Sequence, residues 1–167
     1  MAGAFAFLAL TLSHAQSKQS ADRLAADNLF MKKAAQGGFA EVQMGEVATD
    51  RASSPQVKRF GQRMVDDHSK ANNELKNIAS QKGETLPTTV SAKNRDVIDR
   101  LSKLSGTEFD RTYMQYMVDD HKEDAEEFKR EADSGNDPQV KAFAAKTVPF
   151  LEGHLKMAEQ TDREVKK

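Results

Sequence analysis

Three histidines are the residues best suited to chemistry in this chain: His68, His121 and His154. A fourth, His14, lies in an apolar N-terminal stretch and is set aside. His68 stands four residues after Met64 and three before Ala71. His121 stands four from both Met117 and Ala125, and His154 three after Leu151 and four before Ala158. At helical periodicity these spacings place each imidazole on the apolar face of its own helix. An earlier helix offers a carboxylate, Glu41 (three after Gly38) or Glu46 (four after Val42). Three neutral imidazoles and one carboxylate suit zinc, iron or copper. A methionine also lies one turn from each histidine: Met64, Met117 and Met157. Thioether with imidazole can hold Cu(I), although methionine at helical spacing also serves as core filler.

A second reading needs no metal. The three histidines then form a buried polar network, donating to Glu41, Glu46, Asp67 or Asp120 and fixing helix register. The Asp66-Asp67 and Asp119-Asp120 pairs otherwise read as solvated helix face. Ferritin-like di-iron sites need Glu three residues before His on two helices. Those positions hold Val65, Val118 and Leu151, so the two-metal carboxylate pattern is absent. The sequence also lacks a phosphate-binding glycine loop, a zincin HExxH motif and a nucleophile elbow. No serine is marked as activated, so a non-catalytic role is favoured.

Four long helices must position these residues: about 21–51, 55–82, 107–134 and 138–165. Ser54-Pro55 and Asp137-Pro138 read as N-caps followed by proline at the first helical position. Lys82-Gly83 and Ser134-Gly135 read as helix ends with a left-handed glycine. Val57, Phe60, Met64, Ala71, Leu75 and Ile78 share one face of the second helix; Val140, Phe143, Ala144, Leu151 and Leu155 share one face of the fourth. Gly37-Gly38 in the first helix predicts a close approach or a kink. The connection between the second and third helices, 83–106, contains a short amphipathic stretch, 94–104, a candidate partner-binding surface. Two repeats run through the chain. Met-Val-Asp-Asp-His occurs at 64–68 and 117–121, and Pro-Gln-Val-Lys at 55–58 and 138–141. The expected fold is all-α, an antiparallel four-helix bundle with one long connection.

The 167 residues carry 25 Lys+Arg against 26 Asp+Glu, a formal net charge of -1. So even a balance argues against nucleic acid as a partner. With no cysteine there is no disulfide, thiolate-ligated zinc or iron–sulfur cluster. Ala2 to Leu12 is uncharged and mostly apolar, too short to span a bilayer but the length of a signal-peptide core. Ser13-His14-Ala15 fits a cleavage site, although no Lys or Arg precedes the apolar run. The expected organisation is a signal peptide at 1–15 and a single domain at 16–167, exported to the periplasm or cell envelope. No integral membrane segment is expected in the mature chain.

Several segments together resemble a known family. They are Ala-Ala-Gln-Gly-Gly-Phe-Ala-Glu-Val-Gln-Met-Gly at 34–45, Val-Lys-x-Phe before Met-Val-x-Asp-His within 57–68, Gly-x-x-Phe-Asp at 106–110, His121, and Pro-x-Leu-x-x-His at 149–154. The pattern, from about Asn28 to Ala158, is similar to the bacterial domain of unknown function 4142. That resemblance implies a ferritin-like bundle, exported and often labelled an outer-membrane protein. It also implies that the three histidines and the helix-one glutamate belong to the recurrent pattern, and it names no reaction. Two functional expectations follow: an envelope or stress-related binding protein with an unknown protein or small-molecule partner, or a metal-binding or redox bundle.

Overall fold

The computed structural model describes the backbone of residues 5–167 and the side chains from residue 18 on, except 20 and 21. The side chains of the expected signal segment, 1–15, therefore lie outside the described residues. Five helices form among the described residues: α1 (Phe5–Arg51), α2 (Pro55–Gln81), α3 (Ala92–Leu101), α4 (Gly106–Ser134) and α5 (Pro138–Val165). All four long helices appear where apolar spacing places them, and α1 begins well before the expected Ala21. No described helix is long and apolar enough to cross a membrane.

The bundle is built from two helical hairpins. Short turns join α1 to α2 and α4 to α5, and those pairs make the most extensive contacts. Between α1 and α2 the backbones come very close. A Cβ on Gly61 would lie 2.7 Å from the Ala48 Cβ and 2.8 Å from the Gly45 carbonyl oxygen. Only glycine allows that approach. Gly38 likewise leaves room for the Asn72 side chain, so it serves close packing, and α1 runs helically through it.

The hairpin turns are held by carboxylates from the opposite hairpin. Asp110 of α4 accepts from the backbone N–H groups of Ser53 (3.1 Å) and Ser54 (2.9 Å). Asp27 of α1 accepts from those of Asn136 (3.2 Å) and Asp137 (2.6 Å). Both aspartates are buried. They satisfy donors at the start of α2 and α5 that have no helical acceptor. Asp27 precedes the first Pro-Gln-Val-Lys by the same interval that separates Asp110 from the second. That repeat therefore tracks the duplicated hairpin, with α1–α2 corresponding to α4–α5.

Several local expectations change. Ser54 makes no side-chain cap, because Asp110 has taken that role, whereas Asp137 caps α5 as expected. Gly83 is left-handed (φ 70°) but Gly135 is not (φ -56°); Asp27 holds that turn instead. Pro149 lies inside α5. The apolar side of 94–104 packs inward: Val97 and Leu101 are buried, and Ile98 and Leu104 lie against the core. That face covers one end of the bundle and is spent on folding, which corrects its reading as a partner surface.

Two apolar clusters fill the interior. One gathers Met44, Met64, Phe109, Tyr113, Met114 and Met117; the other gathers Phe30, Leu75, Phe128, Phe143 and Leu151. A layer of polar side chains is buried with them.

Candidate metal centre

Each long helix contributes one buried polar residue to that layer: Glu41 from α1, His68 from α2, His121 from α4 and His154 from α5. The ring centroids stand 5.9 Å apart for His68–His121, 5.3 Å for His68–His154 and 5.4 Å for His121–His154. One ring nitrogen of each lies within 4.8 Å of the others. Nitrogens bound at about 2.0 Å in a tetrahedral set stand roughly 3.3 Å apart, so modest ring adjustments would close the group on an ion.

On each ring, one nitrogen is held by an acceptor and the other is not. His121 Nδ1 lies 2.9 Å from the Met117 carbonyl oxygen, which can only accept, so Nδ1 carries the proton. Its Nε2 then presents a lone pair. His154 Nε2 lies 3.0 Å from Asp67 Oδ2. His68 Nδ1 lies 2.8 Å from Glu41 Oε2. The remaining atoms, His68 Nε2, His121 Nε2, His154 Nδ1 and Glu41 Oε1, are buried and make no hydrogen bond, although His121 Nε2 and Glu41 Oε1 stand 3.3 Å from each other. Buried polar atoms are normally satisfied, and leaving one unpaired costs about 1–3 kcal/mol. Four such atoms in one layer, backed by acceptors on the far side of each ring, are what a histidine metal site requires.

Electrostatics favour the ligating form of the rings. Burial pushes His68 and His154 down to about 4; burial and the neighbouring imidazoles push His121 to about 3. All three are neutral near pH 7. Burial alone would raise Asp67, but hydrogen bonds from His154 and Arg63 bring it below the usual carboxylate range. It therefore stays ionised and accepts from His154. Burial, then Asp120, pushes Glu41 well up. A cation beside it would favour its ionised form.

The structure divides the candidate residues. Glu41, His68, His121 and His154 come together, with Asp67 behind His154. Asp120 is half-buried near Glu41 and His121. Met64 and Met117 are fully buried in the adjoining cluster, and Met117 supports His121 through its carbonyl. Two expectations fail. Glu46 is exposed, because five residues beyond Glu41 turn it away from the buried stripe of Glu41, Met44 and Ala48. Met157, three residues past His154, is also exposed. Asp124 was missed. It lies one turn beyond His121, and burial and then Glu41 push it well up. The hairpin duplication pairs Asp124 with Glu41, a signal present in the sequence.

The layer can be reached from outside. A cleft of about 190 Å³ between α2 and α5 is bordered by Asp67, His68 and His154, with exposed Phe150 among its lining residues.

Residues 11–161 match the family described as Domain of unknown function (DUF4142). The chain belongs to that family. No curated protein matches it. Among solved structures, a DUF305 fragment from Deinococcus radiodurans superposes with a TM-score of 0.72 at 13% identity, covering 83% of this chain and 95% of that one. A DUF305 protein of Streptomyces coelicolor, described as a candidate secreted protein, gives 0.69 at 17% identity over 84% and 93%. CopM in its Cu(I)-bound form gives 0.70 at 18% identity over 83% and 96%. At these identities the likeness is one of fold, and it establishes that the DUF4142 chain shares its bundle with the DUF305 and CopM proteins.

Proposed function

We propose that this DUF4142 protein is an exported, non-catalytic metal-binding bundle that holds one late transition-metal ion, copper in preference to zinc, on His68, His121 and His154. The observation that carries the reading is the convergence of three buried rings from three helices, with His68 Nε2 and His154 Nδ1 unpartnered and His121 Nε2 near only Glu41 Oε1 at 3.3 Å, while the opposite nitrogen of each ring faces an acceptor. A network serving only packing would satisfy His68 Nε2 and His154 Nδ1. Imidazole sets bind divalent ions in an order that peaks at copper. CopM, which shares the fold, has been solved with Cu(I), Cu(II) and Ag. The cleft beside His68 and His154 supplies a route in. Export is supported by the uncharged apolar run from Ala2 to Leu12, followed by the Ser13-His14-Ala15 cleavage pattern.

Elemental mass spectrometry of chain purified without chelator or tag, then loaded with copper or zinc, tests the reading. One metal per chain is expected, and its loss in each of His68→Ala, His121→Ala and His154→Ala. A chain that takes up no metal from either solution, with variants that are merely less stable, leaves a polar network and refutes the proposal.

A further inference from the structure

The nitrogen trio leaves one side of the layer unexplained. Glu41, Asp120 and His121 form a second group in which one ligand atom from each lies within 4.8 Å of the others. Asp124 adds a third carboxylate, which feels the charges of both Glu41 and Asp120. Among the described residues no lysine or arginine makes an ion pair with any of the three. Buried charges are normally paired or bind metal. Glu41 is fully buried, and its Oε1 makes no hydrogen bond, its near neighbour being His121 Nε2 at 3.3 Å. Tyr113 brings another buried, unpartnered oxygen close enough to feel Glu41 and Asp120. Beside Glu41 lies a small pocket of about 20 Å³, bordered also by His68, Asn72 and Asp124. That is room for about one water.

His121 ties this group to the first. Its Nδ1 is engaged by the Met117 carbonyl, so Nε2 is the only nitrogen it can offer to either group. We propose that the centre has two adjacent, mutually exclusive ion positions sharing His121. The nitrogen position, completed by His68 and His154, takes soft ions such as Ag(I) or Cu(I). The oxygen-rich position, completed by Glu41 and Asp120, takes a hard divalent ion such as Mn(II), which prefers carboxylate and water ligands. The inference rests on the metal-binding reading and adds selection between ion classes.

Titrations of the full chain with Ag(I) and with Mn(II), the latter read by electron paramagnetic resonance, test it. Asp120→Asn is expected to weaken Mn(II) by about tenfold or more, while Ag(I) changes by less than about twofold. His154→Ala is expected to abolish Ag(I) binding and leave Mn(II) in place. On the unaltered chain, where folding of a variant is not at issue, Ag(I) should release Mn(II) one for one. Simultaneous occupancy by both ions overturns the proposal. So does Mn(II) binding that is absent or indifferent to Asp120→Asn while Ag(I) still depends on the histidines; the metal-binding reading then stands alone. Binding of neither ion removes both.

Discussion

At the scale of single residues, the acceptors behind the three histidines orient the rings, and on the metal-binding reading they set affinity. Asp67 fixes which nitrogen of His154 faces inward. Asp67→Asn should weaken metal binding by about 10- to 100-fold while the helical circular-dichroism signal is retained; calorimetric titration checks this. A separate carboxylate, Glu131, is pushed up to about 7 by burial and then by Asp27, which it neighbours at the α4–α5 turn. The folded state binds this proton more tightly than the unfolded one. The stabilising contribution is therefore full below about 4.5 and is lost as pH rises through about 7. Glu131→Gln should raise the melting temperature at pH 8 and leave it unchanged at pH 4. A variant whose advantage is the same at both values would contradict the assignment.

At the scale of elements, the hairpin turns depend on carboxylates delivered from the opposite hairpin. Asp110→Ala removes the acceptor for two backbone N–H groups at the start of α2 and leaves them unsatisfied. A loss of about 2–3 kcal/mol in urea denaturation is expected. The α1–α2 contact is equally exacting. Gly61→Val places methyl groups where Ala48 and the Gly45 carbonyl already sit, and should cost about 1–3 kcal/mol in the same measurement. Pro-Gln-Val-Lys marks these elements correctly because each copy opens the second helix of a hairpin. Met-Val-Asp-Asp-His does not follow the duplication. Its two copies lie on α2 and α4, which occupy different places in their hairpins.

At the scale of the whole molecule, the layer draws one residue from each of the four long helices. An ion bound there would bridge both hairpins and act only on the folded state. Saturation at about 100 times the dissociation constant adds roughly 2.7 kcal/mol, read as a rise in melting temperature. His121→Ala should abolish that rise for every ion, because His121 belongs to both positions.

Local periodicity was enough to establish the long helices, their proline and aspartate starts, the short helix in the connection and the inward direction of His68, His121 and His154. These depend on contacts within a few turns, which a sequence displays directly. It was also enough to nominate Glu41 and, from their five-residue spacing, to put Glu41 and Glu46 on different faces, but not to say which face meets the other helices. Tertiary structure alone decided that difference. It also decided that Asp110 and Asp27 hold turns far away in the chain, and that Asp67 rather than another acid orients His154. Each depends on where residues of different helices meet, and such meetings leave no periodic trace in any one segment. Only Asp124 stood between the two cases. Its link to Glu41 was written in the duplication, but its approach to the layer became visible only when the two hairpins were packed.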